Sequence, residues 1–198
     1  LIDSYIELLV SCGSLFNKQL SHAISMEKQV MREPALMYAE RKSVAALISK
    51  NFEIFANKVA IISNAREWTY RQLYQLVQNA CVNITEINLK QQSLVFVRSK
   101  VSVSQIAIML ACWQLNLIYV PLDVDMSQDR FASLIDFCKP SLVLMGGEII
   151  KITRLHSGDM PMRSKATLDS IAYICFSSGT TGKPKGVPIS HRNLACSL

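Results

Sequence analysis

One feature limits what this chain can fold into more than any other: short apolar segments alternate with amphipathic ones from Leu94 to Phe176. The apolar runs predict strands at Leu94–Val97, Leu117–Val120, Ser141–Met145 and Ile171–Phe176. The amphipathic segments predict helices at Val103–Gln114 and Ser127–Cys138. Continuously apolar strands between such helices are typical of a parallel sheet buried on both faces. The sequence therefore predicts an α/β fold, doubly wound, with a mostly parallel sheet covered by helices.

The segment before this alternation also predicts helices and strands. A helix is expected from Ser43 to Phe55 and a strand at Val59–Ser63. Glu67–Tyr70 is expected to lead into a long helix, whose apolar stripe runs from Tyr70 to Ile84 with the 3, 4, 7 spacing of one helical face. Gly146–Ser170 has no clear period and is expected to be a long, irregular surface connection.

Residues 1–33 are predicted to be separate from the rest of the chain. Leu1–Cys12 has the apolar spacing of one helical face, and Pro34 marks a boundary because the residue before a proline avoids the helical region. We expect a helix and a linker in residues 1–33 and a domain in residues 34–198. The chain starts at Leu1 rather than at Met and stops at Leu198 inside a helical pattern, so we expect a fragment of a longer protein.

Composition excludes several classes of protein. Hydrophobic residues make up 50% of the chain and charged residues 18%, so the chain can bury a core and is not disordered. The longest apolar run, Ile106–Leu122, is interrupted by Gln114 and Asn116 and is shorter than the roughly 20 residues of a membrane span. The net charge of +6 comes from scattered lysines and arginines, which favours a solvated basic surface over a nucleic-acid interface.

The cysteines and the acidic residues show no metal-binding pattern. No two cysteines have the CxxC spacing and most lie in apolar segments, so they are predicted to be reduced core residues of a cytoplasmic protein. Asp123, Asp125 and Asp129 lie near a strand end and a helix start, where carboxylates cap helices or are solvated. Trp68 and Trp113 lie on apolar faces and are expected in the core.

A loop rich in glycine, hydroxyl groups and lysine follows the last predicted strand. Residues 177–186 read SSGTTGKPKG. Glycines let successive backbone N–H groups turn towards one anion, hydroxyl groups add donors and lysines supply positive charge. Ligands of open parallel sheets collect at the carboxyl ends of the strands, where this loop begins. The loop is therefore predicted to hold a polyphosphate.

A solvated hairpin is the alternative interpretation of this loop, since Val187–Ser190 is suited to be a returning strand. A proline between the two lysines limits flexibility and weakens that alternative. The loop is not an ordinary P-loop, because Gly179 and Gly182 are too close together and Pro184 stands where a Mg-binding Ser or Thr would be. The chain also lacks a G-x-G-x-x-G run, which argues against a dinucleotide fold.

The same loop carries a family resemblance. Phe176–Val187, which reads FSSGTTGKPKGV with His191 close behind, resembles the signature loop of the adenylate-forming (AMP-binding) superfamily. That superfamily contains acyl-CoA synthetases, luciferases and the adenylation domains of nonribosomal peptide synthetases. Trp68–Tyr70 with Leu73 resembles the L-T-Y-x-E-L motif of peptide synthetase adenylation domains, although Gln72 replaces the usual Glu.

Two further segments resemble peptide synthetases. Tyr119–Asp123, followed by Arg130, resembles their A-Y-V-P-L-D … P-x-x-R motif, with Asn116 near the usual Gly and Ser127 near the usual Pro. Leu1–Leu9 resembles the last helix of a condensation domain, although an ordinary amphipathic helix explains it equally well. The resemblance thus implies the N-terminal part of an adenylation domain, a partial N-terminal lobe of an adenylate-forming enzyme, preceded in residues 1–33 by the end of a condensation domain.

The resemblance implies a reaction, cofactors and partners. Members of the superfamily use Mg·ATP to convert a carboxylate into an acyl- or aminoacyl-adenylate with release of pyrophosphate, and then pass the acyl group to a thiol. In peptide synthetases the thiol is the phosphopantetheine of a carrier domain. ATP and Mg²⁺ are the implied cofactors, and a small carboxylic or amino acid is the implied substrate. Carrier and condensation domains of one assembly line are the implied partners, with no nucleic acid and no membrane.

The resemblance also assigns residues to the ATP phosphates. Hydroxyl and backbone donors would bind them, the glycines would permit a close turn, and Lys185 would contact the phosphates or fix the loop. Lys183 falls at a variable position, and His191 is expected to be only a helix-start residue. The complete set is Ser177, Ser178, Gly179, Thr180, Thr181, Gly182, Lys183, Lys185 and Gly186. No catalytic residue and no metal ligand is expected in this fragment, so the fragment alone is expected to be inactive.

Two alternatives to a peptide synthetase stay open. The first is an acyl-CoA synthetase or a related ligase, which shares the signature loop. The second is a noncatalytic basic binding module for a partner or nucleic acid, which the charge of +6 and the departures at Gln72, Asn116 and Ser127 suggest.

Overall fold

A computed structural model of the protein describes residues 43–63, 65–146, 153–154, 166–177 and 185–197. The chain divides into two compact units, and apart from the bounds of the last helix the fold below is that of the unit Lys42–His191. The helices are α1 (Val44–Ile54), α2 (Tyr70–Thr85), α3 (Val103–Gln114), α4 (Gln128–Cys138) and α5 (His191–Ser197). The strands are β1 (Val59–Ser63), β2 (Arg66–Thr69), β3 (Leu94–Arg98), β4 (Ile118–Leu122), β5 (Leu142–Met145), β6 (Thr153–Arg154), β7 (Ile171–Ser177) and β8 (Lys185–Ser190).

A six-stranded sheet forms the centre of the described fold, with strand order β6-β5-β3-β4-β7-β8. Its four inner strands are parallel to one another. The two edge strands, β6 and β8, are antiparallel to their neighbours. The prediction of an α/β fold with a mostly parallel sheet is therefore confirmed.

Both faces of β3, at the centre of the sheet, are buried. On one face, Phe96 packs in a cluster with Val120 and Val143 from the neighbouring strands and with Phe131 and Leu134 of α4. Successive side chains of a strand point to opposite faces, and the neighbours of Phe96 along β3, Val95 and Val97, are also buried. The continuous apolar runs in the sequence thus have the cause expected of them, which is burial on two sides.

The long helix α2 begins at a capping box. The Thr69 backbone N–H donates to Oε1 of Gln72 (2.9 Å), and the Gln72 backbone N–H donates to Oγ1 of Thr69 (3.3 Å). The buried side chains of α2 follow the predicted stripe, and they are Tyr70, Leu73, Val77, Ala80 and Ile84. No helix of the part that the structure describes is long and apolar enough to cross a membrane.

Two strands lie where the sequence predicted none. Glu67–Tyr70 was expected to lead into the long helix, but Arg66–Thr69 forms β2, which pairs antiparallel with β1, and the helix begins at Tyr70. The connection between them consists of Asn64 and Ala65, and Ala65, at φ +59°, stands where the Gly of a typical Asn-Gly hairpin turn would be, so the strongest hairpin signal is missing from the sequence. The segment expected to be irregular contains β6, whose two residues pair with Leu142 and Val143 and are too few for any periodicity. The helix predicted at Leu1–Cys12 lies outside the described residues.

Candidate functional site

The predicted phosphate loop connects two antiparallel strands. β7 ends at Ser177 and β8 begins at Lys185, and in the register of the hairpin these two residues lie opposite each other. The next pair is Phe176 with Gly186. The returning strand that belonged to the alternative interpretation is therefore present, and it begins two residues earlier than Val187. The other predicted phosphate-binding residues, Ser178, Gly179, Thr180, Thr181, Gly182 and Lys183, lie outside the described residues.

The hairpin leaves the sheet at the edge where ligands of parallel sheets bind. Ser177 is the last residue of β7, which runs parallel to β4. The carboxyl end of β7 therefore lies at the same edge as those of the other three parallel strands. Lys185 is exposed at the start of β8. The structure thus brings Ser177, Lys185 and Gly186 together at this edge of the sheet, as the position of the loop in the sequence predicted.

Gly186 is needed for packing rather than for a turn. It lies within β8 and its φ is outside the left-handed region, so the expectation that it permits a close turn is wrong. A Cβ atom at this position would lie 3.0 Å from Cε1 of Phe176 and 3.1 Å from Cγ2 of Ile174. The Phe176 ring in turn contacts Phe96 of the buried cluster edge to face, with 6.4 Å between ring centroids. The absent side chain of Gly186 lets the Phe176 ring lie across β8 at the base of the loop.

His191 is the first residue of α5, as expected, but it is also completely buried. Its ring meets the Trp113 ring edge to face at 5.9 Å, and its backbone N–H donates to the Ser170 carbonyl (3.0 Å). Neither ring nitrogen has a hydrogen-bond partner among the described residues. Burial lowers the pKa of His191 to about 4, so the imidazole is neutral at pH 7. The helical context of His191 was readable from the sequence, and its burial was not.

Two of the three departures from the peptide synthetase motifs are helix caps. Gln72 accepts the Thr69 N–H of the capping box with its amide oxygen, as a Glu would with a carboxylate oxygen. Ser127 caps α4, since its Oγ accepts the Arg130 backbone N–H (3.4 Å). Gln72 and Ser127 therefore each make a hydrogen bond that caps the start of a helix.

The third departure, Asn116, has a left-handed backbone with φ +55°. Asparagine tolerates this conformation better than any other residue type with a side chain, apart from aspartate. The side chain is also used, because Oδ1 of Asn116 accepts from Nε2 of Gln92 (2.8 Å) and Nδ2 of Asn116 donates to Oε1 of Gln91 (3.4 Å). The three departures therefore give no sign of a degenerate fold.

The remaining candidate groups have structural surroundings. Asp123 accepts the Asp125 backbone N–H at 2.9 Å, and Asp129 lies in the first turn of α4. Trp113 is buried, as predicted, whereas Trp68 is half-buried with the Arg66 guanidinium 4.0 Å above its ring. The following described cysteines are reduced thiols rather than members of disulfides: Cys81, Cys112, Cys138 and Cys175. Within the described residues, His, Cys, Asp and Glu form no group of three that could hold a metal ion.

The comparison with protein families identifies the class. Residues 48–198 match the family model described as AMP-binding enzyme. Since this match covers more than half of the chain, the chain belongs to the AMP-binding enzyme family. The resemblance carried by Phe176–Val187 is confirmed.

Curated proteins similar to this chain include synthases and synthetases much longer than it. Tyrocidine synthase 1 of Brevibacillus parabrevis is 24% identical over 191 residues, which cover 88% of this chain and 18% of that protein. The hybrid PKS-NRPS synthetase pydA of Acremonium sp is 30% identical over 180 residues, which cover 76% of this chain and 4% of that protein. The chain therefore spans less than a fifth of the length of these relatives.

Solved structures share the fold. The NpsA N-terminal subdomain of Klebsiella oxytoca has a TM-score of 0.64 at 23% identity, over 78% of this chain and 43% of that one. CmiS6 has a TM-score of 0.65 at 21% identity, over 83% of this chain and 43% of that one. These likenesses confirm the predicted α/β fold.

Proposed function

We propose that this chain is part of an ATP-dependent ligase that converts a carboxylic or amino acid into its adenylate, with residues 177–186 holding the β and γ phosphates of ATP. One observation carries the proposal: the signature loop spans the tip of a hairpin whose strands place Ser177 and Lys185 opposite each other at the ligand-binding edge of the sheet. Membership of the AMP-binding enzyme family supports the same reaction.

The proposed chemistry explains why positive charge and N–H donors belong at this hairpin. A carboxylate resists nucleophiles because its charge is delocalised and oxide is a poor leaving group. When its oxygen displaces pyrophosphate from ATP, negative charge grows on the departing phosphates. Fixed donors and a lysine at those phosphates stabilise that charge without having to reorganise. The loop would thus act by position and electrostatics, and it would transfer no proton.

Magnesium would enter this site with the nucleotide. The donor groups assigned to the hairpin are hydroxyl groups, backbone N–H groups and lysines, and a polyphosphate suits such a set better than a bare cation does. The described residues contain no cluster of carboxylates to hold the ion. We therefore assign Mg²⁺ to the phosphate oxygens of ATP, where it supplies positive charge, and we assign no residue of this chain to it.

The acceptor of the activated acid is proposed to be a phosphopantetheine thiol on a carrier domain. Relatives over much of this chain include tyrocidine synthase 1 and hybrid PKS-NRPS synthetases, which supports a peptide synthetase assembly line. We further propose that this assembly line is in the cytoplasm. Residues 1–33 would then be the end of a condensation domain, and residues 34–198 would be the start of the adenylation domain. Without the rest of that domain we expect the 198-residue chain to be inactive.

The test is acid-dependent exchange of pyrophosphate into ATP by the intact protein that carries this chain. Lys185→Ala and Thr181→Ala should each lower kcat/KM by about 100-fold, the usual effect of removing one stabilising donor or charge. Lys90→Ala is the matched control, because it removes the same charge from an exposed residue that precedes β3, at the opposite end of the parallel strands, and it should change the rate less than about threefold.

Two outcomes would contradict the proposal. Full exchange activity in both Lys185→Ala and Thr181→Ala would remove the assigned role of the loop. Salt-sensitive binding of RNA or DNA, with no exchange for any acid, would favour the noncatalytic basic module instead. Release of an acyl-CoA, with no acyl group on a carrier phosphopantetheine, would keep the adenylation step and replace the peptide synthetase by an acyl-CoA synthetase.

A further inference from the structure

The hairpin that carries the proposed phosphate site has little main-chain pairing with the parallel strands. β3 and β4 are in register over five residue pairs, from Leu94 with Ile118 to Arg98 with Leu122. β4 and β7 share one register pair, Tyr119 with Tyr173. The other six register pairs of β7 are with β8, the second strand of the same hairpin. The backbone ladder therefore joins the hairpin to the parallel strands at one register pair, and side-chain bonds from outside the hairpin add to its attachment at the start of β7.

The side chain of Gln92 bonds to the start of β7 in the way that the backbone of a neighbouring strand would. The Ile171 backbone N–H donates to Oε1 of Gln92 (2.8 Å), and Nε2 of Gln92 donates to the Ile171 carbonyl (3.3 Å). These are the two bonds that a neighbouring strand would make with that residue. Gln92 is itself held in place, since its backbone N–H donates to the Asn116 carbonyl (2.7 Å) and Nε2 also donates to Oδ1 of Asn116 (2.8 Å).

Trp113 holds the next residue of the same strand. Nε1 of Trp113 donates to the Ala172 carbonyl at 2.9 Å, and the bond is buried. Trp113 is on α3, which packs against α2, and the indole is 5% exposed, so it cannot move without disturbing its surroundings. Its ring also contacts His191, the residue that follows β8. Trp113 thus touches the chain at both ends of the hairpin, where β7 begins and where β8 has ended.

We propose that Gln92 and Trp113 are positioning residues of the phosphate site: they fix the start of β7 and thereby the place of Ser177 and Lys185 at its far end. The proposal rests on the function proposed above. β7 spans roughly 20 Å from Ile171 to Ser177, so a small tilt at its start is carried to the site as a larger displacement. A misplacement of about 1 Å at a reacting group can cost about 100-fold in rate.

The experiment compares three variants of the intact protein that carries this chain. Gln92→Leu and Trp113→Phe remove the bonds to β7 while leaving most of each side chain's volume. Gln78→Leu is the matched control, because Gln78 is also half-buried and its amide donates to Oε1 of Gln114 (3.3 Å) between two helices, away from β7. All rates are divided by the folded fraction, so that a loss of stability alone does not register.

Steady-state pyrophosphate exchange gives the first readout. We expect the KM for ATP to rise about fivefold or more in Gln92→Leu and in Trp113→Phe, with the KM for the acid unchanged. Gln78→Leu should keep both constants within about twofold of the wild type. Trp113→Phe removes one N–H donor, and it tests the positioning role if Gln92→Leu does not fold.

Hydrogen exchange of the backbone amides of Lys185–Ile189 gives the second readout and needs no activity. β8 is an edge strand of the described sheet, so only those of its amides that bond to β7 are protected, and Pro188 contributes no amide. The protected amides should exchange at least about tenfold faster in Gln92→Leu than in Gln78→Leu. Unchanged kinetic constants and unchanged amide exchange in both test variants would overturn the positioning role alone. A wild-type protein that shows no pyrophosphate exchange would overturn the proposed function, and the amide exchange would still report whether Gln92 and Trp113 hold the hairpin.

Discussion

The inner strands β3, β4 and β5 differ from the β7–β8 hairpin in what holds them. β3 is paired with β4 over five residue pairs and with β5 over four, and most side chains of these three strands are buried. The hairpin has six register pairs within itself, one with β4, and exposed residues at the start of β8. Burial fixes the first region, and specific side-chain contacts fix the second.

This difference fits the roles of the two regions: the buried parallel strands support the fold, and the hairpin carries the proposed phosphate site. A buried sheet supplies a rigid frame whose strand ends meet at one edge, and it can be stable without any ligand. A site that must admit and release a nucleotide is better placed on an element with fewer buried contacts. The hairpin is such an element, and Phe176, Gln92 and Trp113 join it to the frame at defined points.

The largest expected effect belongs to the frame. Phe96→Ala removes a completely buried ring from the centre of the cluster and should lower the free energy of unfolding by about 3–5 kcal/mol. Phe137→Ala is the control, because that ring is 71% exposed, and its effect should stay within about 0.5 kcal/mol. Urea unfolding measures both. Equal effects of the two substitutions would mean that burial on both faces is not what stabilises the sheet.

His191 should make stability depend on pH. Its pKa is lowered to about 4 by burial, whereas in the unfolded chain it is near 6.5. As pH falls below about 6.5 the unfolded state takes up a proton that the folded state does not, so stability is complete above that pH and is lost towards pH 4. The loss should approach at most about 3 kcal/mol at pH 4.

The control for this prediction is His191→Leu, which keeps an apolar group of similar volume and leaves the other histidines in place. The difference in free energy of unfolding between wild type and variant, followed from pH 7 to pH 4, isolates the contribution of His191. A difference that does not change with pH would show that the imidazole is solvated or hydrogen-bonded. The end of the hairpin would then be less firmly packed than the structure indicates.

The smallest expected effect lies where the hairpin meets the frame. Gly186→Ala places a methyl group 3.0 Å from Cε1 of Phe176 and should cost about 1–2 kcal/mol, because the ring must shift against Phe96. In the background Phe176→Leu the same substitution should cost less, since the ring is gone. A double-mutant cycle by thermal unfolding gives the coupling. Costs that simply add would mean that Gly186 has another role.

Much of the frame could be predicted from the sequence, for a physical reason. A strand buried on two faces must be apolar at every position, so β3, β4, β5 and the core of β7 were visible as apolar runs. β2 was not predicted, because an alanine in the sequence does not indicate the left-handed conformation that Ala65 adopts. β6 was missed because two residues carry no period. Hydrophobic periodicity predicts elements whose residue pattern is set by burial. It does not predict elements that depend on the conformation of one or two residues.

The phosphate site was predicted from composition, whereas the residues proposed to position it were not predicted. Glycines, hydroxyl groups and lysines in one short run after a strand indicate an anion site through their chemistry alone. Gln92 gives no such sign, because its amide bonds to residues far along the chain: Asn116, 24 residues away, and Ile171, 79 residues away. Gly186 was assigned to a turn when its role is to make room for Phe176. Tertiary contacts of single side chains leave no pattern in the sequence.

Hydrogen exchange with and without Mg·ATP tests the central claim most directly, because it asks where the nucleotide acts on the intact protein. The account predicts slower exchange of the backbone amides in residues 177–187, where the phosphates are held. It also predicts no change at Val95, Phe96 and Val97 in the buried frame, whose amides serve as the internal reference. Protection of another part of the chain by Mg·ATP, with residues 177–187 unchanged, would contradict the assignment of the phosphate site to the β7–β8 hairpin.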